Sequence, residues 1–244
     1  MAAGHSPLTQ FEIVPLIPIK VGGVDASFTN SSLWMVIAIA LIVLLLTIGT
    51  GRRALVPGRL QSLAEMAYEF IANLVRDNVG NEGRKYFPFI FTLFLFVLFC
   101  NMLGMVPYSF TVTSHIVVTL ALALVVFIGV TIIGFAKNGL GFLHLFSPAG
   151  VPLFVLPLLI PIEIISYFVR PVSLSVRLFL NMMVGHTMLK VFAGFIVLLG
   201  IWGVGPLLFV VVFIGFEAFV ALLQAYIFAV LSCLYLHDAL HPHH

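Results

Sequence analysis

From Pro148 to Leu236 the chain is almost continuously apolar, and the main interruption is Gly200-Ile-Trp-Gly-Val-Gly205-Pro206. A run this long exceeds any strand and any core helix of a water-soluble domain. In lipid only helices and closed barrels satisfy their own backbone groups, so the run reads as helix. The glycine and proline cluster divides it into two arms, which predicts a long helical hairpin turning near residues 200–206. The first arm, 148–199, holds 52 residues and the second, 207–236, holds 30. At 1.5 Å per residue even the shorter arm is about 45 Å long, against a hydrocarbon core of ~30 Å. The arms are therefore tilted, kinked or partly outside the bilayer. Pro152, Pro157, Pro161 and Pro171 supply candidate kinks in the first.

The rest of the chain agrees with a membrane setting. Only 8% of residues are charged, against about 25% in a soluble domain, which leaves little extramembrane mass. We read 1–244 as one integral membrane domain, all-α and polytopic, with about five passes and one amphipathic surface helix. Residues 1–32 carry Pro7, Pro15, Pro18, Gly22 and Gly23 and are expected to be irregular, with no cleavable leader. Spans are expected over 33–49, 86–107 and 116–136, ahead of the hairpin at 148–236. Between the first two, Leu60, Leu63, Ala67, Phe70, Ile71 and Leu74 recur at helical spacing with polar residues between them. That pattern predicts an amphipathic helix over 59–76, lying on the membrane or against other helices. Cys100 and Cys233 lie in apolar runs and read as small core residues.

Charge placement orients the chain. Arg52, Arg53, Arg59, Arg76, Arg84, Lys85 and Lys137 are seven of the eleven basic residues, and with this span assignment all fall on one side. The positive-inside rule then puts the N-terminus outside and the C-terminus inside.

One basic residue breaks that pattern. Arg177 sits within the first hairpin arm with no acid within ten positions on either side. An arginine keeps its charge at any physiological pH, and a charge at mid-membrane costs roughly 2.5–3.5 kcal/mol on insertion scales. In an antiparallel hairpin facing residues have a constant number sum. A turn centred near 201–202 sets His186 against Glu217, and Arg177 against Tyr226 near Gln224. Helical periodicity places Glu163, Arg170, Ser173, Arg177 and Asn181 near one face of the first arm, and Glu217, Gln224 and Phe228 on one face of the second. His186 points away from the Arg177 face, so its match with Glu217 is one of depth. Each polar residue alone can be structural glue between helices. Together they place titratable groups at two depths on either side of a permanent cation, as an ion or proton path requires.

These residues carry a family resemblance. Arg170-Pro-Val-Ser-Leu-Ser-Val-Arg177-Leu-Phe-Leu-Asn181, Leu223-Gln-Ala-Tyr-Ile-Phe228, Asn101-Met-Leu-Gly-Met-Val-Pro107 and the opening Pro7-Leu-Thr-Gln-Phe-Glu-Ile resemble subunit a of the F-type ATP synthase, essentially end to end. His186 with Glu217 is similar to the mitochondrial and alphaproteobacterial branch, and Gly104 stands where some bacterial members have an aspartate. The resemblance implies a proton-conducting stator subunit, not catalytic by itself, in a bacterial inner membrane or a mitochondrial inner membrane. Its partners would be the proteolipid subunits of the c-ring, b-type subunits of the peripheral stalk, the remaining ATP synthase complex and membrane lipid. No nucleic acid, cofactor or metal is implied. Arg177 would face the ring carboxylate and separate two aqueous half-channels. The outer would use His186, Glu217, Asn181, Gln224 and Asn101, and the inner Glu163, Tyr167 and Ser173, with Arg170 and Tyr226 in support.

Without the resemblance, an autonomous ion-coupled transporter or channel is the main alternative, although the chain shows no internal repeat of the kind transporters carry. A haem-binding subunit needs paired histidines at bilayer depth, and only His186 lies well within an apolar run.

Overall fold

The computed structural model describes residues 11–18, 20–21, 24–25, 27–51, 58–106, 109–146 and 154–241. Six helices dominate: α1 Asn30–Gly51, α2 Arg59–Val79, α3 Phe87–Gly104, α4 Ile116–Asn138, α5 Leu156–Leu199 and α6 Val204–Leu240. The stretches α1, α3, α4 and Leu156–Leu240 are long and apolar enough to cross a membrane, the last holding both hairpin arms.

Among the described residues before α1 there are short paired strands where irregular chain was expected. Pro15–Ile17 (β1) pairs antiparallel with Phe28–Thr29 (β4), and Lys20–Val21 (β2) with Val24–Asp25 (β3). Apolar β-formers flank a Gly22-Gly23 dipeptide, a hairpin signal that the irregular reading passed over. Asn30 ties this arm to α1: its Nδ2 donates to the Glu12 carbonyl at 3.1 Å and its Oδ1 accepts from the Val14 amide at 3.3 Å.

Helix α6 is the hub, packing on α2, α3, α4 and α5. Its sequence explains why. Ala221, Ala225, Ala229 and Cys233 recur every four residues and each is 0% exposed. Small side chains in one row let helix backbones approach closely, which is how membrane helices associate when lipid is as apolar as leucine. The hairpin turn is a short 3-10 segment, Gly200–Gly203, entered through Gly200 at φ +56°. Gly203 sits so close to α5 that a Cβ there would lie 2.6 Å from the Ile196 carbonyl.

Several predicted boundaries move. Helix α5 starts at Leu156 among the described residues, with Pro157 in its first turn, where a proline costs no hydrogen bond, and Pro148 lies outside them. Pro161 and Pro171 lie inside the helix, while Pro152 lies outside the described residues. The second arm runs further, to Leu240. At 44 and 37 residues, the arms are about 66 and 55 Å long, so both exceed a bilayer core.

The amphipathic helix exists, and its buried stripe keeps Ile71 and Leu74 of the predicted one but is otherwise shifted. Ala64, Ile71, Leu74, Val75 and Val79 face α1, α3 and α6, while Leu60, Leu63 and Phe70 are exposed. The loop after α3 is enclosed. Thr111, Val112, Thr113 and Ser114 are all buried at that end of the bundle.

At the opposite end, Lys137 closing α4 pairs with Glu82 of the α2–α3 turn, and Asn138 donates to the Ala239 carbonyl of α6 at 2.7 Å. The ends of α2, α4 and α6 therefore lie together.

Candidate proton-path residues

The two arms meet at two ionisable contacts. His186 Nδ1 of α5 lies 3.7 Å from Glu217 Oε1 of α6, and Arg170 Nη1 lies 3.0 Å from Asp238 Oδ2. Between them α5 advances 16 residues (170 to 186) and α6 advances 21 (217 to 238). The arms thus do not keep a fixed register, as expected when one crosses the other at a slant.

Glu217 is built into the interface by a missing side chain. A Cβ on Gly185 would come 2.5 Å from Glu217 Oε1, so any larger residue at 185 would push the carboxylate from this position. The carboxylate is buried, at 4% exposure, and neither oxygen has a hydrogen-bond partner among the described residues. His186 Nε2 and Asn181 Nδ2 are likewise buried without one. Leaving such groups bare costs free energy unless water or a proton-exchanging neighbour serves them. A cavity of about 340 Å³ provides the room, lined by Leu180, Asn181, Gly185, Phe213, Phe216 and Glu217. It is large enough for several waters.

Further along α6, Gln224 is buried two turns from Glu217 on the same face, with Ala221 and Phe228. Asn101 is placed differently from the expectation that it orders water. It is 0% exposed, its Nδ2 donates to the Ala221 carbonyl at 3.2 Å and its Oδ1 accepts from Thr113 at 2.9 Å. It clamps α3, the buried loop and α6 together.

Arg177 turns the opposite way from His186. It is exposed on the outer face of α5, and no ion pair or hydrogen bond holds it among the described residues. The exposed positions Ile165, Val169, Ser173, Arg177, Leu180 and Val184 form one continuous stripe at helical spacing. Arg177 is its only charge. The other arginine of this arm is fully occupied: besides Asp238, its guanidinium lies 5.8 Å from the Tyr167 ring and 5.4 Å from the Tyr235 ring. Asp238 and Tyr235 were not singled out by the periodic reading, because both follow the matched Leu223–Phe228 segment. The facing-register expectation for Tyr226 is also revised. It turns toward α2, its ring 5.6 Å from Phe70, rather than toward Arg177.

The inner group is not brought together as one cluster. Tyr167 shares a 2.6 Å hydrogen bond with Thr131 of α4, beside an almost wholly apolar cavity. Ser173 donates to the Arg170 carbonyl at 2.9 Å. Glu163 is partly exposed and has no ion pair among the described residues.

A polytopic helical protein with an unpaired, exposed arginine on one hairpin arm, and a buried acid beside a histidine between the arms, carries within its spans the kind of ionisable groups that mark ion pathways. The comparisons narrow that reading. The ATP synthase A chain family matches residues 32–237. Three curated proteins named ATP synthase subunit a align with 98% of the chain: 60% identical in Rhodospirillum rubrum over 100% of that protein, 59% in Paramagnetospirillum magneticum over 99%, and 58% in Parvibaculum lavamentivorans over 94%. The chain belongs to the ATP synthase A chain family, whose members form the proton-translocating stator part of the F-type enzyme.

Proposed function

We propose that the chain carries protons between two offset aqueous half-channels and the carboxylate of a rotating proteolipid ring, with Arg177 as the gate between them. The observation that carries this reading is the contrast between the two arginines of α5. Arg170 is neutralised within the chain, while Arg177 stands exposed at the centre of an apolar stripe. A permanent cation there is costly against lipid and favourable against an apolar surface that presents one acid at its depth.

The chemistry follows from the charge. A cation within about 4–6 Å lowers a carboxylate's pKa by one to three units, so a ring carboxylate arriving at Arg177 releases its proton. The same fixed charge repels a proton crossing directly from one half-channel to the other. With a pKa above 12, Arg177 does not carry the proton itself.

The outer path runs from His186 and Glu217 through the cavity to Asn181, and Gln224 lies deeper on the same route. Asn101, enclosed and bonded at both ends, is a structural clamp in this reading. The inner path rests on Glu163, because Tyr167 and Ser173 spend their hydroxyls within the protein. Basic residues face inside and the N-terminus outside, and the c-ring and b-type stalk subunits are the immediate partners. ATP chemistry belongs to other subunits of the complex.

Cysteine cross-linking tests the arrangement. In the assembled complex, Ser173→Cys, Leu180→Cys and Val184→Cys should each form disulfides with cysteines placed on the outer helix of the proteolipid, and Ala225→Cys should not. Cross-linking of none of the three would overturn the reading of this stripe as the ring-facing surface.

A further inference from the structure

A polar cavity of about 510 Å³ lies between the end of α2 and the turn into α3. The proton path does not use it. Asn73, Arg76, Asn81 and Arg84 supply its polar wall, and Tyr68 and Phe87 its aromatic one. Tyr68, Ala72 and Arg76 stand at i, i+4 and i+8, so one face of α2 fronts the cavity.

The opposite wall is held in place from two directions. A Cβ on Gly83 would lie 2.8 Å from side-chain atoms of both Val75 and Val79, so the turn Asn81–Lys85 rests directly on α2. Glu82 in that turn is drawn to Lys137 of α4. This second contact has an electrostatic consequence, because it commits the acid closest in sequence to Arg84. Neither Arg76 nor Arg84 has an ion pair among the described residues, whereas Lys137 and Arg170 both do.

Two unneutralised guanidinium groups and two amide side chains around one cavity suit a phosphate, which arginine binds through paired N–H donors. The aromatic wall restricts what carries the phosphate. Phe87 is the first residue of α3, and Tyr68 packs on it edge to face at 4.7 Å between ring centres. The cavity is therefore continuous with the apolar start of a span, where a soluble phosphate would leave half the wall unused. We propose that it binds the headgroup of an anionic membrane phospholipid, with Arg76 and Arg84 on the phosphate and the acyl chains running down α3.

The test uses the assembled complex purified in mild detergent and stripped of loosely held lipid. Phosphatidylglycerol, cardiolipin and phosphatidylethanolamine retained per complex are quantified by mass spectrometry, for the unaltered chain, for Arg76→Gln with Arg84→Gln, and for Arg59→Gln as a control outside the cavity. The double variant should rebind added phosphatidylglycerol roughly tenfold or more weakly, with phosphatidylethanolamine unchanged and the control normal. Equal rebinding in all three proteins overturns the proposal. Displacement of the retained lipid's signal by millimolar inorganic phosphate would assign the cavity to a soluble phosphate instead. Unchanged lipid with loss of a neighbouring subunit would assign it to a protein contact. If the double variant does not assemble, photoactivatable phosphatidylglycerol added to the unaltered complex decides. Labelling within residues 68–87 supports the site, and labelling confined to other peptides contradicts it.

Discussion

Gly185 and Glu217 form a notch and its occupant: the carboxylate fills the volume that any side chain at 185 would need, with 2.5 Å between Oε1 and the position of a Cβ. Replacing Gly185 by Ala should therefore displace Glu217 from His186. The displaced atoms are the tip of a flexible side chain, so the change costs the fold little while it moves the carboxylate. ATP-driven proton pumping in inverted vesicles should fall severalfold while the complex still assembles. Pumping at the unaltered rate would show that the position of Glu217 is not critical.

His186 and Glu217 should behave as a pair. If they pass one proton between them, His186→Glu combined with Glu217→His retains more pumping than either single change. Equal loss in all three variants, measured in the same vesicles, would argue against a relay.

Asp238 should matter through Arg170. The pair is about a quarter exposed on each side, 26% and 29%, so it is worth less than a fully buried one. Asp238→Asn keeps the size and removes the charge, and should lower stability by roughly 1–2 kcal/mol, in the range of a hydrogen bond to a charged group. Thermal unfolding of the purified complex, followed by release of this chain, would show the loss. An unchanged profile would mean that the two tyrosine rings alone hold Arg170.

His115, at the entrance to α4, is partly buried against Phe110, with ring centres 5.0 Å apart. Burial holds its pKa below the usual 6.5. The folded chain thus binds fewer protons here than the unfolded one. The stabilising contribution is complete above pH 6.5 and is lost as pH falls through the folded value. His115→Asn should make the complex less sensitive to acidification from pH 7 to 5 in thermal unfolding. Identical pH profiles for the two proteins would contradict this.

Much of this arrangement was legible from residue order alone. The hairpin announced itself through its glycine-rich turn, and the constant-sum rule set His186 against Glu217, where the structure has them 3.7 Å apart. The same rule failed at Arg170 and Tyr226, because it assumes straight arms of equal pitch and these arms slip by five residues over that distance. Burial of Asn101 and of Thr111 through Ser114 was not legible for another reason. The polar partners of Asn101, in α3, are 12 and 120 residues away in sequence, and one of them is Thr113 of that loop. Gly104 is a similar case: a Cβ there would meet Thr111 at 2.7 Å, so the glycine answers to that buried loop. The short strands before α1 were missed because their pairing partners are each only two or three residues long.

Arg177 carries the central claim, and Arg177→Ala tests it most directly. Vesicles containing the assembled variant complex should be measured for ATP synthesis driven by an imposed proton gradient, together with the passive proton leak. A gate at this position predicts that synthesis disappears and that the leak stays the same or rises. Proton-tight vesicles that still make ATP with alanine at 177 would contradict it.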